Sequence, residues 1–111
     1  MRAGDIVRVD FGVPIGSEPG FERPAVVITA DVVLGRAPRT VHVVPFTTNV
    51  ARAMPTEVVV TAPELPEPSA AQCHLCTAVS VERLTDGAYG NVGARVLAQL
   101  RSVLADLLDI G

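Results

Sequence analysis

An arginine beside a proline, and a group of short polar side chains further along the chain, are the residue types best suited to chemistry in this sequence. Arg23 directly precedes Pro24, and Thr47, Thr48 and Asn49 form the polar group. The guanidinium of arginine presents a planar fork of hydrogen-bond donors that matches a phosphate, and threonine adds a neutral hydroxyl. Together these side chains suit a phosphodiester better than a peptide or a sugar.

Two strands are needed to position these side chains. Residues 25–28 are apolar and mostly β-branched, which predicts a buried strand, and Pro24 favours an extended conformation for Arg23. A second strand is predicted over 40–46, directly before Thr47. If the two strands pair antiparallel, Arg23 faces the polar group across a short gap. Taken alone, an arginine at a strand end is more often a solvated surface residue, so the site depends on this pairing.

The sequence lacks the residue patterns of other common catalytic and metal sites. There is no Gly-x-Ser-x-Gly, no phosphate-binding glycine loop that ends in Lys-Ser/Thr, and no His-Glu-x-x-His. A continuous strand is predicted over 70–78, so Cys73 and Cys76 should face opposite sides and act as small hydrophobic residues. His42 and His74 are isolated from one another in predicted strands. We therefore expect no metal and no other cofactor.

The composition indicates one soluble domain over residues 1–111. Net charge is −3, which argues against a non-specific nucleic-acid coat, and all nine basic residues are arginine. Residues 32–56 hold three arginines and no acid, so this stretch is a candidate anion-facing surface. The sequence has no apolar run of transmembrane length and no signal segment, which predicts a cytoplasmic protein without membrane contact.

Several short strands followed by one helix indicate a mainly β (α+β) fold, a small β-barrel with an appended C-terminal helix. Residues 12–22, rich in glycine and proline, are predicted to form a long loop between the first two strands. The helix is predicted over 94–109, with Gly93 as N-cap and Gly111 as its stop. Its apolar face comprises Val96, Leu97, Leu100, Val103, Leu104, Leu107 and Leu108.

A set of short motifs in a fixed order resembles the MazF/PemK family of toxin endoribonucleases. The N-terminal motifs are Gly4-Asp5-Ile6-Val7, Gly16-Ser17-Glu18-Pro19-Gly20 and Arg23-Pro24-Ala25-Val26-Val27-Ile28. They are followed by Val44-Pro45-Phe46-Thr47-Thr48-Asn49, Pro55-Thr56-Glu57-Val58 and the end of the helix, Leu107-Leu108-Asp109-Ile110. No single motif is decisive, but together they span nearly the whole chain.

The resemblance implies an SH3-like barrel of the MazF/PemK/CcdB kind that forms a homodimer. It implies metal-independent, sequence-specific cleavage of single-stranded RNA by attack of the 2′-hydroxyl, which leaves a 2′,3′-cyclic phosphate and a 5′-hydroxyl. It also implies inhibition by a cognate MazE-like antitoxin.

The resemblance further assigns roles to individual residues. Arg23 and Thr47 are the implied catalytic residues, with Thr48 as a close second for the threonine role. The implied RNA-binding residues are Ser17, Glu18, Asn49, Arg52, His74 and Thr77.

One departure from the family pattern bears on catalysis. Many members carry Gln-apolar-Arg-Thr where this chain has His74-Leu75-Cys76-Thr77. An auxiliary phosphate-binding or acid–base group is thus missing or altered at Cys76, and His74 either reads a base edge or has no role in binding. Two alternatives follow: a non-catalytic, CcdB-like toxin that binds gyrase, although that relative lacks the Arg-Pro/Thr pairing, or an inactive family member that binds antitoxin.

Overall fold

The computed structural model describes residues 1–51 and 54–110, which form an antiparallel β-sheet with a C-terminal helix. The strands are β1 (Asp5–Asp10), β2 (Glu22–Val27), β3 (Thr40–Thr47), β4 (Glu57–Val60), β5 (Ser69–Gln72), β6 (Thr77–Ser80) and β7 (Leu84–Asn91). The helices are the one-turn α1 (Asp31–Leu34) and the long α2 (Gly93–Leu108). The predicted mainly β fold with a C-terminal helix is confirmed.

Strand β3 is the centre of the sheet, whose strands follow the order β4-β5-β3-β2-β1-β7. One edge of β3 pairs with β2. The other edge pairs first with β6, over residues 40–43, and then with β5, at residues 46 and 47. Pairing with β2 extends to Pro45 and pairing with β5 holds Phe46 and Thr47, where the polar residues predicted to form the site begin.

The strands bury apolar residues on both faces of the sheet, as their β-branched composition requires. One core contains Ile6, Val26, Val44, Phe46 and Leu100, which α2 contributes. The other contains Val7, Val9, Ala25, Val27 and Val43. Neighbouring residues of β2 and β3 thus alternate between two apolar cores, and a register slip of one residue would exchange the two sets and disrupt the packing of both.

The continuous strand predicted over 70–78 is wrong. The chain breaks into β5 and β6 around a 3-10 turn at Cys73–Leu75, closed by a 3.1 Å hydrogen bond from the Cys76 N–H to the Cys73 carbonyl. The turn lets the chain leave one end of β3 and rejoin it nearer its start. Cys73 is buried and Cys76 packs against the same core, so the two thiols do not face opposite sides. Both remain free cysteines.

Helix α2 begins and ends slightly differently from the prediction. The N-cap is Val92, which makes no side-chain cap bond, and the predicted N-cap Gly93 is instead the first helical residue. The Oδ1 of Asn91 accepts a 2.8 Å hydrogen bond from the Gly93 N–H. Leu100 is fully buried, whereas Leu107 and Leu108 of the predicted apolar face are exposed. The predicted stop at Gly111 lies outside the described residues. Neither helix of residues 1–51 and 54–110 is long and apolar enough to cross a membrane.

Leu100 is the fully buried residue of α2 in the sheet core, which other residues of the helix also contact, so truncating it should destabilise the protein. We expect Leu100→Ala to lower the free energy of unfolding by about 2–5 kcal/mol, because it removes buried surface and leaves a cavity. Leu108→Ala is a matched control on the same helix, where the side chain is 65% exposed, and should cost less than about 0.5 kcal/mol. Urea unfolding monitored by circular dichroism measures both; equal losses would contradict the packing described.

Cys73 should make the stability of the protein sensitive to alkaline pH. Burial raises the pKa of the Cys73 thiol to about 11, and the neighbouring Cys76 adds to the rise. An unfolded chain releases this proton nearer pH 9, so the folded state holds more protons and stability falls as pH rises from about 9 to about 11. The chain has no lysine, and Cys76 and Tyr89, whose pKa values burial also raises, are present in both the wild type and the variant below. Thermal melts should show a shallower decline for Cys73→Ala; identical slopes would contradict the assignment.

Candidate active site

Arg23 and Thr47 lie side by side on one face of the sheet, as the predicted pairing required. The β2–β3 register is Val27↔Val43, Val26↔Val44 and Ala25↔Pro45. Continued by two residues, it brings Arg23 opposite Thr47, and strand alternation places both on the face of Ala25. Both line one open cleft of about 260 Å³ at the end of β3. The cleft is otherwise lined by Gly20, Phe21, Glu22, Pro24, Phe46 and Thr48.

The guanidinium of Arg23 is available to an anionic ligand. In the part of the chain that the structure describes, no carboxylate lies within salt-bridge distance of it. The carboxylate of the adjacent Glu22 is bonded to other residues. Its Oε1 accepts hydrogen bonds of 2.9 Å from Arg8 Nε and from Thr85 Oγ1. Arg8 thus offsets the nearest negative charge, and Arg23 keeps its donors for a ligand.

Thr47 is better placed than Thr48 to act with Arg23. Thr47 is the last residue of β3, is half-buried, and is held by pairing with Ala70 of β5. Its Oγ1 accepts a 3.2 Å hydrogen bond from the Asn49 N–H, which leaves the hydroxyl proton free to donate. Thr48 lines the same cleft but is exposed and lies beyond the strand. Asn49 supports Thr47 through its backbone and does not line the cleft.

A second cleft, of about 420 Å³, gathers four of the predicted RNA-binding residues. Ser17, Glu18, His74 and Thr77 all line it. Thr77 pairs with Val43, four residues before Thr47 on β3. The two clefts are therefore separated by about 13 Å along the sheet, from the rise of four strand residues.

His74 occupies the 3-10 turn rather than the predicted strand, and this exposes its ring to the second cleft. Its Nδ1 lies 3.0 Å from the Oγ1 of Thr56, which orients the imidazole. Nε2 is left to face a ligand. Glu18 is partly committed, because its Oε1 accepts a 2.9 Å hydrogen bond from the Ile15 N–H in the same loop.

The loop from 12 to 21 forms a wall of both clefts. Residues 17–19 line the second cleft and residues 20 and 21 line the first. The loop packs on itself, since a Cβ at Gly20 would collide with the ring of Pro14. Phe21, which the sequence prediction missed, is an exposed aromatic side chain beside Arg23. The only indication in the sequence that Phe21 belongs to the site is its position directly before Glu22-Arg23-Pro24.

Cys76 lines the second cleft and contributes no charge there. Burial raises the pKa of the Cys76 thiol, so it stays neutral near pH 7. An arginine that the sequence prediction did not name, Arg83, lies nearby: it lines an adjoining cleft with Glu18 and Thr77, and its Nη1 donates a 3.3 Å hydrogen bond to the Asp10 carbonyl.

The arginine-rich stretch 32–56 is not one anion-facing surface. Arg36 and Arg39 precede β3, whereas Thr47 ends it. From Arg39 to Thr47 the strand spans about 26 Å. Arg52, predicted to bind RNA, lies outside the described residues. Within residues 1–51 and 54–110, no group of three or more His, Cys, Asp or Glu side chains is arranged to hold a metal ion.

Comparisons with known proteins agree on one family. Residues 2–108 match the family described as PemK-like, MazF-like toxin of type II toxin–antitoxin system. Endoribonuclease MazF9 of Mycobacterium tuberculosis is 36% identical over 116 aligned positions, covering 99% of this chain and 98% of that protein.

Solved structures of similar proteins share the fold. The crystal structure of MazF from Deinococcus radiodurans has a TM-score of 0.83 at 24% identity, covering 98% of this chain and 96% of the other. A mycobacterial endoribonuclease in complex with its cognate antitoxin has a TM-score of 0.78 at 20% identity, covering 100% and 97%. At these identities the likeness shows the fold alone, which confirms the barrel of the MazF kind expected from the sequence.

Proposed function

Because the chain belongs to the PemK-like, MazF-like toxin family of type II toxin–antitoxin systems, we propose that it is an endoribonuclease that cleaves single-stranded RNA. The observation that carries the proposal is the cleft at the end of β3. It holds an arginine without a carboxylate partner among the described residues, next to a threonine hydroxyl. A guanidinium and a hydroxyl on one rigid sheet face suit a phosphodiester.

The proposed reaction is an internal transfer at phosphorus. The 2′-hydroxyl attacks the adjacent phosphorus, the bond to the 5′-oxygen breaks, and a 2′,3′-cyclic phosphate and a 5′-hydroxyl are formed. The 2′-hydroxyl gives up a proton and the 5′-oxygen takes one up, both exchanged with water in the open cleft. No hydride or electron moves, so no redox cofactor is required.

Arg23 and Thr47 divide the work of stabilising the transition state. Arg23 supplies positive charge to the non-bridging oxygens as negative charge develops on them, which takes the place of a metal ion. Thr47 donates its hydroxyl proton to a non-bridging oxygen and fixes the phosphate against the guanidinium. Since the nucleophile belongs to the RNA, the same site leaves DNA uncleaved.

The two clefts give the RNA strand a path across the sheet. In this proposal the scissile phosphate lies on Arg23, and neighbouring nucleotides cross the 17–21 wall toward His74 and Thr77. We propose that Nε2 of His74 and the hydroxyl of Thr77 bond to base edges there and so give cleavage its sequence preference. Ser17 and Glu18 border the same route.

The remaining parts of the proposal concern assembly and place of action. The similar mycobacterial endoribonuclease forms a complex with its cognate antitoxin, and we propose a MazE-like antitoxin for this chain. We also propose that residues 1–111 form a single toxin domain, that it acts as a homodimer, and that it meets its RNA in the cytoplasm.

The first prediction for this function concerns Arg23. Arg23→Ala should reduce the rate of cleavage by about a hundredfold to a thousandfold, because it removes the main charge that stabilises the transition state. Arg39→Ala is the matched control, since it removes the same charge at the far end of β3 and should leave the rate unchanged. The assay is single-turnover cleavage of mixed single-stranded RNA in EDTA, with 5′-hydroxyl ends mapped by sequencing.

Three outcomes would contradict this assignment. Undiminished cleavage by Arg23→Ala would remove Arg23 from the mechanism. No cleavage by the wild-type chain would favour the inactive family member that the neutral Cys76 allows. Growth arrest with intact RNA and trapped DNA–gyrase complexes would instead favour the CcdB-like alternative.

The second prediction separates the two threonines. Thr47→Val keeps the side-chain shape and removes the hydroxyl, and it should slow cleavage by about tenfold to a hundredfold, the loss of one hydrogen bond to a charged group. Thr48→Val should change the rate by less than about threefold, because Thr48 lies beyond the strand. The reverse order in the same single-turnover assay would assign the role to Thr48.

A further inference from the structure

Phe21 is an aromatic side chain in an unusual place and conformation. Its ring is 65% exposed, although phenylalanine is normally buried. Its backbone has φ of +58°, in the left-handed region that glycine adopts easily and bulky residues avoid. Neither the exposure nor this conformation stabilises the folded state. A phenylalanine at position 21 is therefore better explained by a function than by stability.

The surrounding backbone holds Phe21 firmly in this conformation. Its N–H donates a 2.6 Å hydrogen bond to the Gly12 carbonyl, and its carbonyl accepts a 2.9 Å bond from the Phe11 N–H. These two bonds continue the β1–β2 ladder beyond Asp10 and Glu22. The ring is therefore carried by a rigid strand end and not by the tip of a loose loop.

The ring lines the same cleft as Arg23, Thr47 and Thr48. Arg23 and Thr47 can bind a phosphate. The nucleotide next to that phosphate also carries a base, whose two flat faces are apolar. An exposed, rigid aromatic ring is the usual partner for an unpaired base in single-stranded nucleic acid. We propose that Phe21 is a stacking platform for a base that flanks the scissile phosphate, an inference that rests on the proposed function for the identity of the phosphate.

Other exposed apolar residues of the loop lack these neighbours. Ile15 is 80% exposed, more than Phe21, yet it lines none of the clefts described above. It offers neither an aromatic face nor a neighbouring cation. Ile15 is therefore a matched control for an apolar side chain of the same loop that does not meet the RNA.

Fluorescence can test the stacking without relying on cleavage. The chain has no tryptophan, so Phe21→Trp introduces one reporter into the cleft and Ile15→Trp introduces one outside it. We expect single-stranded RNA to quench Phe21→Trp strongly and Ile15→Trp little. Abasic RNA, which keeps the ribose–phosphate backbone, should quench neither. Equal quenching of Phe21→Trp by abasic and intact RNA, or no quenching by intact RNA, would overturn the proposal.

RNA-binding affinity, measured together with the melting temperature, is a second test that distinguishes lost stacking from a folding defect. Phe21→Gly relieves the left-handed conformation, so its melting temperature should equal or exceed that of the wild type. Its affinity for single-stranded RNA should nevertheless fall about tenfold to a hundredfold, the loss of one stacked base. Ile15→Ala should bind like the wild type. Unchanged affinity in Phe21→Gly would overturn stacking, as would a loss confined to antitoxin binding, which would assign the ring to a protein partner.

The outcomes separate this inference from the proposed function. Quenching of Phe21→Trp by intact RNA alone, in a protein that cleaves no RNA, would support stacking and contradict the nuclease. Cleavage that depends on Arg23, together with an unquenched Phe21→Trp, would support the nuclease and contradict stacking.

Discussion

The antiparallel pairing of β2 with β3 is the constraint on which the rest of the structure depends. The register from Val27↔Val43 to Ala25↔Pro45 assigns alternate residues to two buried cores. A slip of one residue would exchange these two sets of side chains and misfit both cores, so side-chain packing on the two faces fixes the register. The same register brings Arg23 beside Thr47 at the open end of the ladder. The hydrophobic patterning that stabilises the fold therefore also assembles the site.

In the proposed complex, the phosphate and the bases of the RNA contact different structural elements around this pair. Arg23 and Thr47, on the rigid sheet, address the phosphate, where a small displacement would cost the most. Phe21 at the end of the β1–β2 ladder and His74 in the 3-10 turn address the bases. Arg8 binds Glu22 at 2.9 Å and so keeps a carboxylate away from Arg23 in an acidic protein. A cleft whose one arginine has no carboxylate partner among the described residues can thus exist in a protein with a net charge of −3.

The sequence is sufficient to predict that Arg23 and Thr47 lie close together only on the condition that β2 pairs antiparallel with β3. Strand periodicity is a local rule, whereas that pairing is known from the structure. The sequence is not sufficient for the turn at Cys73–Leu75, which contains no glycine or proline and is formed because β5 and β6 must both pair with β3. The sequence also gives the wrong position for Arg36 and Arg39. They precede the eight-residue strand β3, whose length separates them from the site at its other end. The stacking surface of Phe21 is invisible in sequence, because it depends on exposure and on the sign of φ.

The central claim is that Arg23 and Thr47 act together on one phosphate. A double-mutant cycle tests it most directly, with single-turnover cleavage rates for the wild type, Arg23→Ala, Thr47→Val and the double variant on one RNA with a mapped cleavage site. If both side chains contact the same phosphate, the double variant loses clearly less than the sum of the two single losses in activation free energy. Losses that simply add would show that the two residues act independently and would contradict the account.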